Sequence, residues 1–194
     1  IGPVNFGIAY SLVIVPLLVV GFTNGFNLLA GYNGLEAGLA SIIMLGFSFI
    51  FVYTKQYWLA LIALAMFFSL LAFLIFNKYP SKVFPGDSLT FTVGSLIACF
   101  AILGNVEKLA LFMFIPFVIE GFLKARSKFK AENFAKLDKQ GYLHEPYKYI
   151  YSVTHATIKL LKSIKNRVTE QDVVAFLLLL QFVVVICVAV WLII

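Results

Sequence analysis

The chain keeps returning to stretches of about 20 mostly apolar residues, the length an α-helix needs to cross the hydrocarbon core of a bilayer. The first runs roughly over 6–30, with Pro16 as a kink two turns before Asn24. The second covers about 35–53, the third about 57–76 and the fourth about 88–104. The fifth, about 109–124, is interrupted by Pro116 and Glu120, and the last covers about 173–194. Thr54-Lys55-Gln56 and Asn105-Val106-Glu107-Lys108 read as tight turns, and 77–86 as a loop holding Pro80 and Pro85. The expected fold class is all-α: a polytopic membrane protein of about six transmembrane helices, one membrane-embedded domain over 1–194. Composition agrees. The chain is 62% hydrophobic and 12% charged, where a soluble domain is about 45–50% apolar and about 25% charged.

Lysine and arginine set the orientation. If consecutive spans alternate in direction, the loops 31–35, 77–87 and 125–172 share one side. That side carries Lys78, Lys82, Arg126, Lys128, Lys130, Lys136, Lys139, Lys148, Lys159, Lys162, Lys165 and Arg167, with Lys124 at its border. The other side carries Lys55 and Lys108. The basic side is therefore expected to be cytoplasmic, and 125–172 a long cytoplasmic segment between the fifth and sixth spans. Within it Lys124 to Lys139 is basic and helix-compatible, Gly141 breaks it, and His144-Glu145-Pro146-Tyr147 reads as a turn. Tyr149-Ile150, Val153, Ile158, Leu160-Leu161 and Ile164 then suggest an amphipathic helix with a basic face, of the kind that lies in a membrane interface. For most of these lysines positive-inside charge alone is the preferred explanation. The chain begins with Ile1 inside an apolar stretch, without a basic region before it, and reads as a piece lacking an upstream portion rather than a chain opening on a signal peptide. Cys99 and Cys187 lie in apolar runs, without metal or disulfide spacing.

Two polar clusters stand out against this background. Asn24, Asn27, Asn33 and Glu36 fall between the first two spans, interleaved with Gly21, Gly25, Gly31, Gly34 and Gly38. Carboxamides and carboxylates are costly in hydrocarbon without partners. Asn24 and Asn27 are three apart and share a helix face. The cluster reads as a polar pocket at a helix end, open to water on one side. Small-residue packing between membrane helices is the competing explanation. The second cluster is Val83-Phe84-Pro85-Gly86-Asp87-Ser88-Leu89-Thr90. Here Asp87 is either a helix cap or a magnesium ligand, since magnesium takes one or two carboxylates together with substrate phosphates. Phe84 is placed to stack on a base or to face lipid.

Taken together, Asn27-Leu28-Leu29-Ala30-Gly31-Tyr32-Asn33-Gly34-Leu35-Glu36-Ala37-Gly38 and the later Phe84-Pro85-Gly86-Asp87-Ser88 resemble the polyprenyl-phosphate N-acetylhexosamine-1-phosphate transferase family. The wording is that of its eukaryotic and archaeal, dolichyl-phosphate branch, whereas bacterial members tend to have Asp-Gly-x-Asp-Gly in the first motif. Phe114-Ile115-Pro116 and Val168-Thr169-Glu170-Gln171-Asp172 are similar too, so the resemblance spans nearly the whole chain.

The resemblance implies a magnesium-dependent transfer of N-acetylglucosamine-1-phosphate from UDP-N-acetylglucosamine to a polyprenyl (dolichyl) phosphate. UMP leaves, in the first step of lipid-linked oligosaccharide synthesis. By family match Asp87 holds the metal and Asn27 contacts metal or pyrophosphate. Phe84 and Gly31 sandwich the uracil, Asn33 hydrogen-bonds it, and Glu36 supports that loop. The sugar-reading cluster lies after the fifth span, where His155, His144, Arg126, Lys128 and Lys130 are the candidates. The implied partners are the UDP-sugar, the lipid phosphate and the bilayer, with no nucleic acid, and a homodimer is compatible. The membrane would be the plasma membrane in an archaeon and the endoplasmic reticulum in a eukaryote. Two departures stand beside this. The family carries an Asp-Asp motif on an earlier cytoplasmic loop, and no such pair exists here; its eukaryotic members also have more spans. The chain thus reads as a C-terminal part that is inactive alone. The alternative is a non-catalytic transporter or scaffold fragment. A transporter should place polar groups near the bilayer midplane, and Glu120 is the residue that would serve it.

Overall fold

In hydrocarbon the main-chain polar groups must pair within their own segment, and each long apolar run does so as a helix. The computed structural model describes residues 7–138 and 140–194. Ile1, Phe6 at the start of the expected first span, and Lys139 of the basic segment lie outside the described residues. A π-helical turn, Tyr10–Ile14, leads into α1, Val15–Leu28. There follow α2, Leu35–Tyr53, α3, Tyr57–Asn77, and α4, Gly86–Leu103. Next come α5, Glu107–Met113, and α6, Ile115–Arg126. A two-stranded antiparallel hairpin pairs β1, Lys136–Leu137, with β2, Leu143–His144. The chain closes with α7, Val153–Ile164, and α8, Glu170–Ile193. The protein is an all-α polytopic membrane protein. Among the described residues five helices, counting Tyr10–Leu28 as one, are long and apolar enough to cross a bilayer.

The fifth expected span differs: it is two short helices rather than one. Pro116 has no N–H to continue the ladder, and Phe114, at φ −89° and ψ 1°, ends α5 and begins α6. The Phe117 N–H turns to Phe114 O at 3.0 Å, and Gln181 of α8 donates its side-chain amide to Met113 O at 3.0 Å. The interruption expected at Glu120 is absent, because α6 runs through it. The basic stretch after Lys124 is helical only as far as Arg126. Lys128 and Phe129 have φ of 53° and 59°, and the Lys124 carbonyl, which also takes Ser127 N–H, accepts the Phe129 N–H and closes the helix. His144, expected in a turn, pairs in β2, and the amphipathic helix begins only at Val153.

The core is α2, buried along nearly its whole length between α3 and α8, while α1 packs chiefly on α4. Gly94 makes that last approach feasible: a Cβ there would stand 2.6 Å from the Thr23 Cα. Phe22, Phe26, Phe114 and Phe117 pack between α1 and the α5–α6 break, Phe22 edge-on to Phe114 and Phe117 stacked on Phe26 and Phe114, with ring centroids 4.5–4.8 Å apart. At one end of the bundle Gln56 donates to Gly104 O at 3.0 Å and Tyr10 donates to the Glu107 carboxylate. At the other end the α1–α2 loop, the α3–α4 loop and segment 127–152 meet.

Candidate functional site

Asn27 sits in the last turn of α1, and Asp87 is the second residue of α4, whose start follows Pro85. The α1–α4 contact brings them together: the Asn27 carboxamide donates to Asp87 Oδ1 and to Thr90 Oγ1, both at 2.9 Å. Thr90 is buried and donates in turn to the Asp87 carbonyl at 3.2 Å. The helix-cap explanation of Asp87 does not hold, since Pro85 occupies the N-cap position and no side chain caps α4. The Asp87 carboxylate instead stands exposed at a helix start, where the helix dipole favours negative charge.

One turn on, the loop between α1 and α2 is held from two sides. Glu36 accepts the Gly31 N–H at 2.7 Å, and Glu170, in the first turn of α8, accepts the Asn33 N–H at 2.6 Å. Gly31 has φ of +114°, a conformation that side-chain-bearing residues rarely adopt. The three atoms nearest the position of a Cβ on Gly31 all belong to the Phe134 ring, the closest at 2.9 Å. Phe84 stands 75% exposed beside the α4 start. The ring that covers Gly31 is therefore that of Phe134.

Segment 127–152 and α7 close over this loop through buried polar contacts. Asn133 donates both amide hydrogens to α1-end carbonyls, Leu28 O at 2.7 Å and Ala30 O at 2.8 Å. Tyr32 donates to Asn133 O at 3.3 Å, and burial pushes its phenol up to about 12. Thr154 also donates to Asn133 O, at 3.0 Å. Its hydroxyl lies 2.8 Å from that of Ser152, which caps α7 and donates to Glu120 at 3.0 Å. Glu120 further accepts the Val153 N–H at 2.6 Å and lies 3.9 Å from Lys124, whose ammonium donates to Ala131 O at 2.5 Å. Glu120, the residue that would line a permeation path, is thus the anchor of segment 127–152 on α6.

Among the basic and histidine candidates, Arg126, Lys128 and Lys130 are exposed around the α6 end. His144 is engaged in the hairpin, 3.2 Å from Asp138 and 3.3 Å from Lys162. The Tyr142 N–H, with His144 and the Gln140 N–H, holds the Asp138 carboxyl below the usual carboxylate range. His155 is not on a surface: it is 3% exposed beneath Tyr147, and neither ring nitrogen has a hydrogen-bond partner. Burial, and then the charge of Lys124, pull its pKa down. Thr90, Asn133, Phe134 and Glu170 complete the arrangement. Thr90 and Glu170 lie in motifs that the sequence singles out, without a role given to either, whereas Asn133 and Phe134 lie outside every motif.

A groove of about 750 Å³ runs along α1 and α5–α6, lined by Leu18, Gly21, Phe117, Val118 and Gly121 among others. Asn24 is the one polar side chain among the described residues lining it, and it bonds its own helix at Val20 O, 2.9 Å away. No group of three or more His, Cys, Asp or Glu side chains that could enclose a metal occurs among the described residues. The Asp87 carboxylate, oriented by the Asn27 amide, is the kind of group that could hold a hard cation drawing its remaining ligands from phosphate and water.

A family model described as Glycosyl transferase family 4 matches residues 1–105. Over 179 residues the chain is 40% identical to a protein of Saccharolobus solfataricus provisionally named UDP-N-acetylglucosamine–dolichyl-phosphate N-acetylglucosaminephosphotransferase, covering 91% of this chain and 54% of that protein. A Sulfolobus acidocaldarius protein with the same provisional name is 38% identical over 164 residues, 84% of this chain and 50% of that one. A phospho-N-acetylmuramoyl-pentapeptide-transferase of Listeria monocytogenes is 38% identical over 111 residues, 57% of this chain and 34% of its own length. The chain spans about half the length of the first two relatives it matches.

Proposed function

Because this chain belongs to glycosyl transferase family 4, we propose that it carries part of a site that moves N-acetylglucosamine-1-phosphate from UDP-N-acetylglucosamine to a polyprenyl, dolichyl-type phosphate. A phosphate oxygen of the lipid attacks the β-phosphorus. The bond from that phosphorus to the bridging oxygen breaks, and UMP leaves with the oxygen. The observation that carries the reading is the Asn27–Asp87 pair across the ends of α1 and α4, one turn from the Gly31–Asn33 loop. Such transfer asks for positioning and charge neutralisation more than covalent chemistry by the protein.

Asp87 and Asn27 would hold a magnesium ion, which supplies neutralisation of the pyrophosphate charge when bound. Asp87 brings the formal charge that draws the cation from water, and Asn27 fixes the carboxylate through its amide. Asn33 and Phe84 would meet the nucleobase, with Glu36 shaping the loop and Phe134 covering Gly31. Arg126, Lys128 and Lys130, exposed around the α6 end, would be the cations that meet the sugar phosphate. The apolar groove beside Asn24 suits the acceptor's isoprenoid chain, ending next to the turn that carries Asn27. The excess of lysine and arginine on this end supports a cytoplasmic site. Identity over 91% of the chain to an archaeal relative, against 57% for the Listeria enzyme, favours the dolichyl-type acceptor. The test is UMP release by the full-length protein in detergent with magnesium, UDP-N-acetylglucosamine and dolichyl phosphate, with the lipid product followed by mass spectrometry. Absence of both products would overturn the reading.

A further inference from the structure

The last carbonyls of an α-helix have no partner within it and need donors from elsewhere. α1 ends at Leu28 without a left-handed cap: Leu29 has φ −97° and ψ 70°. Its last carbonyl and that of Ala30, in the loop beyond it, are met by one side chain far along the chain: the Asn133 amide nitrogen donates to Leu28 O at 2.7 Å and Ala30 O at 2.8 Å. The amide fits one way round. With its oxygen turned to α1 it would face two carbonyls, and as it stands that oxygen is buried without a partner. The Asn133 backbone is fixed as well, because its carbonyl accepts from Tyr32 and Thr154, and Tyr32 accepts the Ala135 N–H at 3.2 Å. Asn133 is 9% exposed.

We propose that Asn133 is a positioning residue for nucleotide binding: it seats segment 131–135 on the end of α1 and so sets the placement of Asn27 and Gly31. The inference rests on the reading of the site given above. Leu28 follows Asn27 directly and Ala30 precedes Gly31, so the two accepted bonds bracket the turn that leads from the Asp87 pair to the loop. Phe134, the next residue, lies over Gly31.

The test is titration calorimetry of UMP binding to the full-length protein, together with separate KM values for UDP-N-acetylglucosamine and dolichyl phosphate. Asn133→Asp keeps the size and replaces two donors by acceptors, while Asn133→Ser keeps one donor. The expected result is a loss of UMP affinity of about tenfold or more in Asn133→Asp and a smaller loss in Asn133→Ser. The UDP-sugar KM should rise in step and the lipid KM should hold. If Asn133→Asp shows no melting transition, Asn133→Ser decides. Wild-type UMP affinity in Asn133→Ser, or both KM values rising together, would overturn the proposal while leaving the transferase reading intact. Failure of the wild type to bind UMP would overturn both.

Discussion

Asp87 and Asn27 are sixty positions apart, yet the carboxamide reaches the carboxylate at 2.9 Å. The pairing was legible because each residue sits in a motif with a stated chemistry and both motifs lie on the same side of the spans. Asn133 and Phe134 were not legible: a single carboxamide and one phenylalanine in a basic stretch look like solvated surface until the fold lays them on α1. Asp87→Asn keeps shape and hydrogen bonding while removing the charge a magnesium ion needs. Turnover of the full-length protein is expected to fall by several orders of magnitude with the melting temperature little changed, and near-wild-type UMP release would return Asp87 to a structural role. Phe84 is a separate matter. Base–aromatic stacking is worth about 1–3 kcal/mol in nucleic-acid proteins, so Phe84→Ala should weaken UDP-sugar binding by roughly tenfold or more and leave lipid binding unchanged. Equal affinities measured by calorimetry would make Phe84 a lipid-facing side chain.

The helices themselves followed from hydropathy and length, with boundaries near those expected for α2, α3 and α4. The fifth span could be read only in part. Pro116 announced a break, but the break's stability depends on Gln181, a residue of α8 whose amide finds Met113 O inside the bundle. The segment after α6 was the least legible, because its order comes from buried contacts with Glu120 and α1 rather than from a period of its own. Bonds at each end of the bundle place the turns at 54–56 and 104–106 together and opposite the Asn27–Asp87 pair. Single cysteines at Lys55 and Lys128 are therefore expected to react with a membrane-impermeant reagent from opposite faces of sealed vesicles. Labelling of both from one face would refute the arrangement of α2 to α6.

Among the described residues no group of three or more His, Cys, Asp or Glu side chains comes together to enclose a metal, and the chain spans about half the length of the archaeal relatives it matches. The 194-residue chain alone, given magnesium and both substrates, is expected to release no UMP; robust turnover would mean that these helices suffice. A pH dependence should also appear. His155 is held neutral by burial, with a pKa below the usual value of about 6.5, so the unfolded chain takes up the proton first as pH falls. Stability is then full above about pH 6.5 and declines below it, by at most about 1.4 kcal/mol per pH unit for this one group. His155→Gln should flatten the melting temperature between pH 6.5 and 5, and an unchanged slope would assign the dependence to other groups.

The two carboxylates that grip the α1–α2 loop carry a last consequence. Glycine-rich turns that cradle phosphate do so with main-chain N–H groups left open for an anion. Here the Gly31 and Asn33 N–H groups are already spent on Glu36 and Glu170, and an approaching anion would meet negative oxygen behind them. The loop is the reverse of an anion nest. It offers a phosphate no open N–H at Gly31 or Asn33. On the proposed function, the pyrophosphate of the UDP-sugar is therefore expected away from these two carboxylates, toward Asp87.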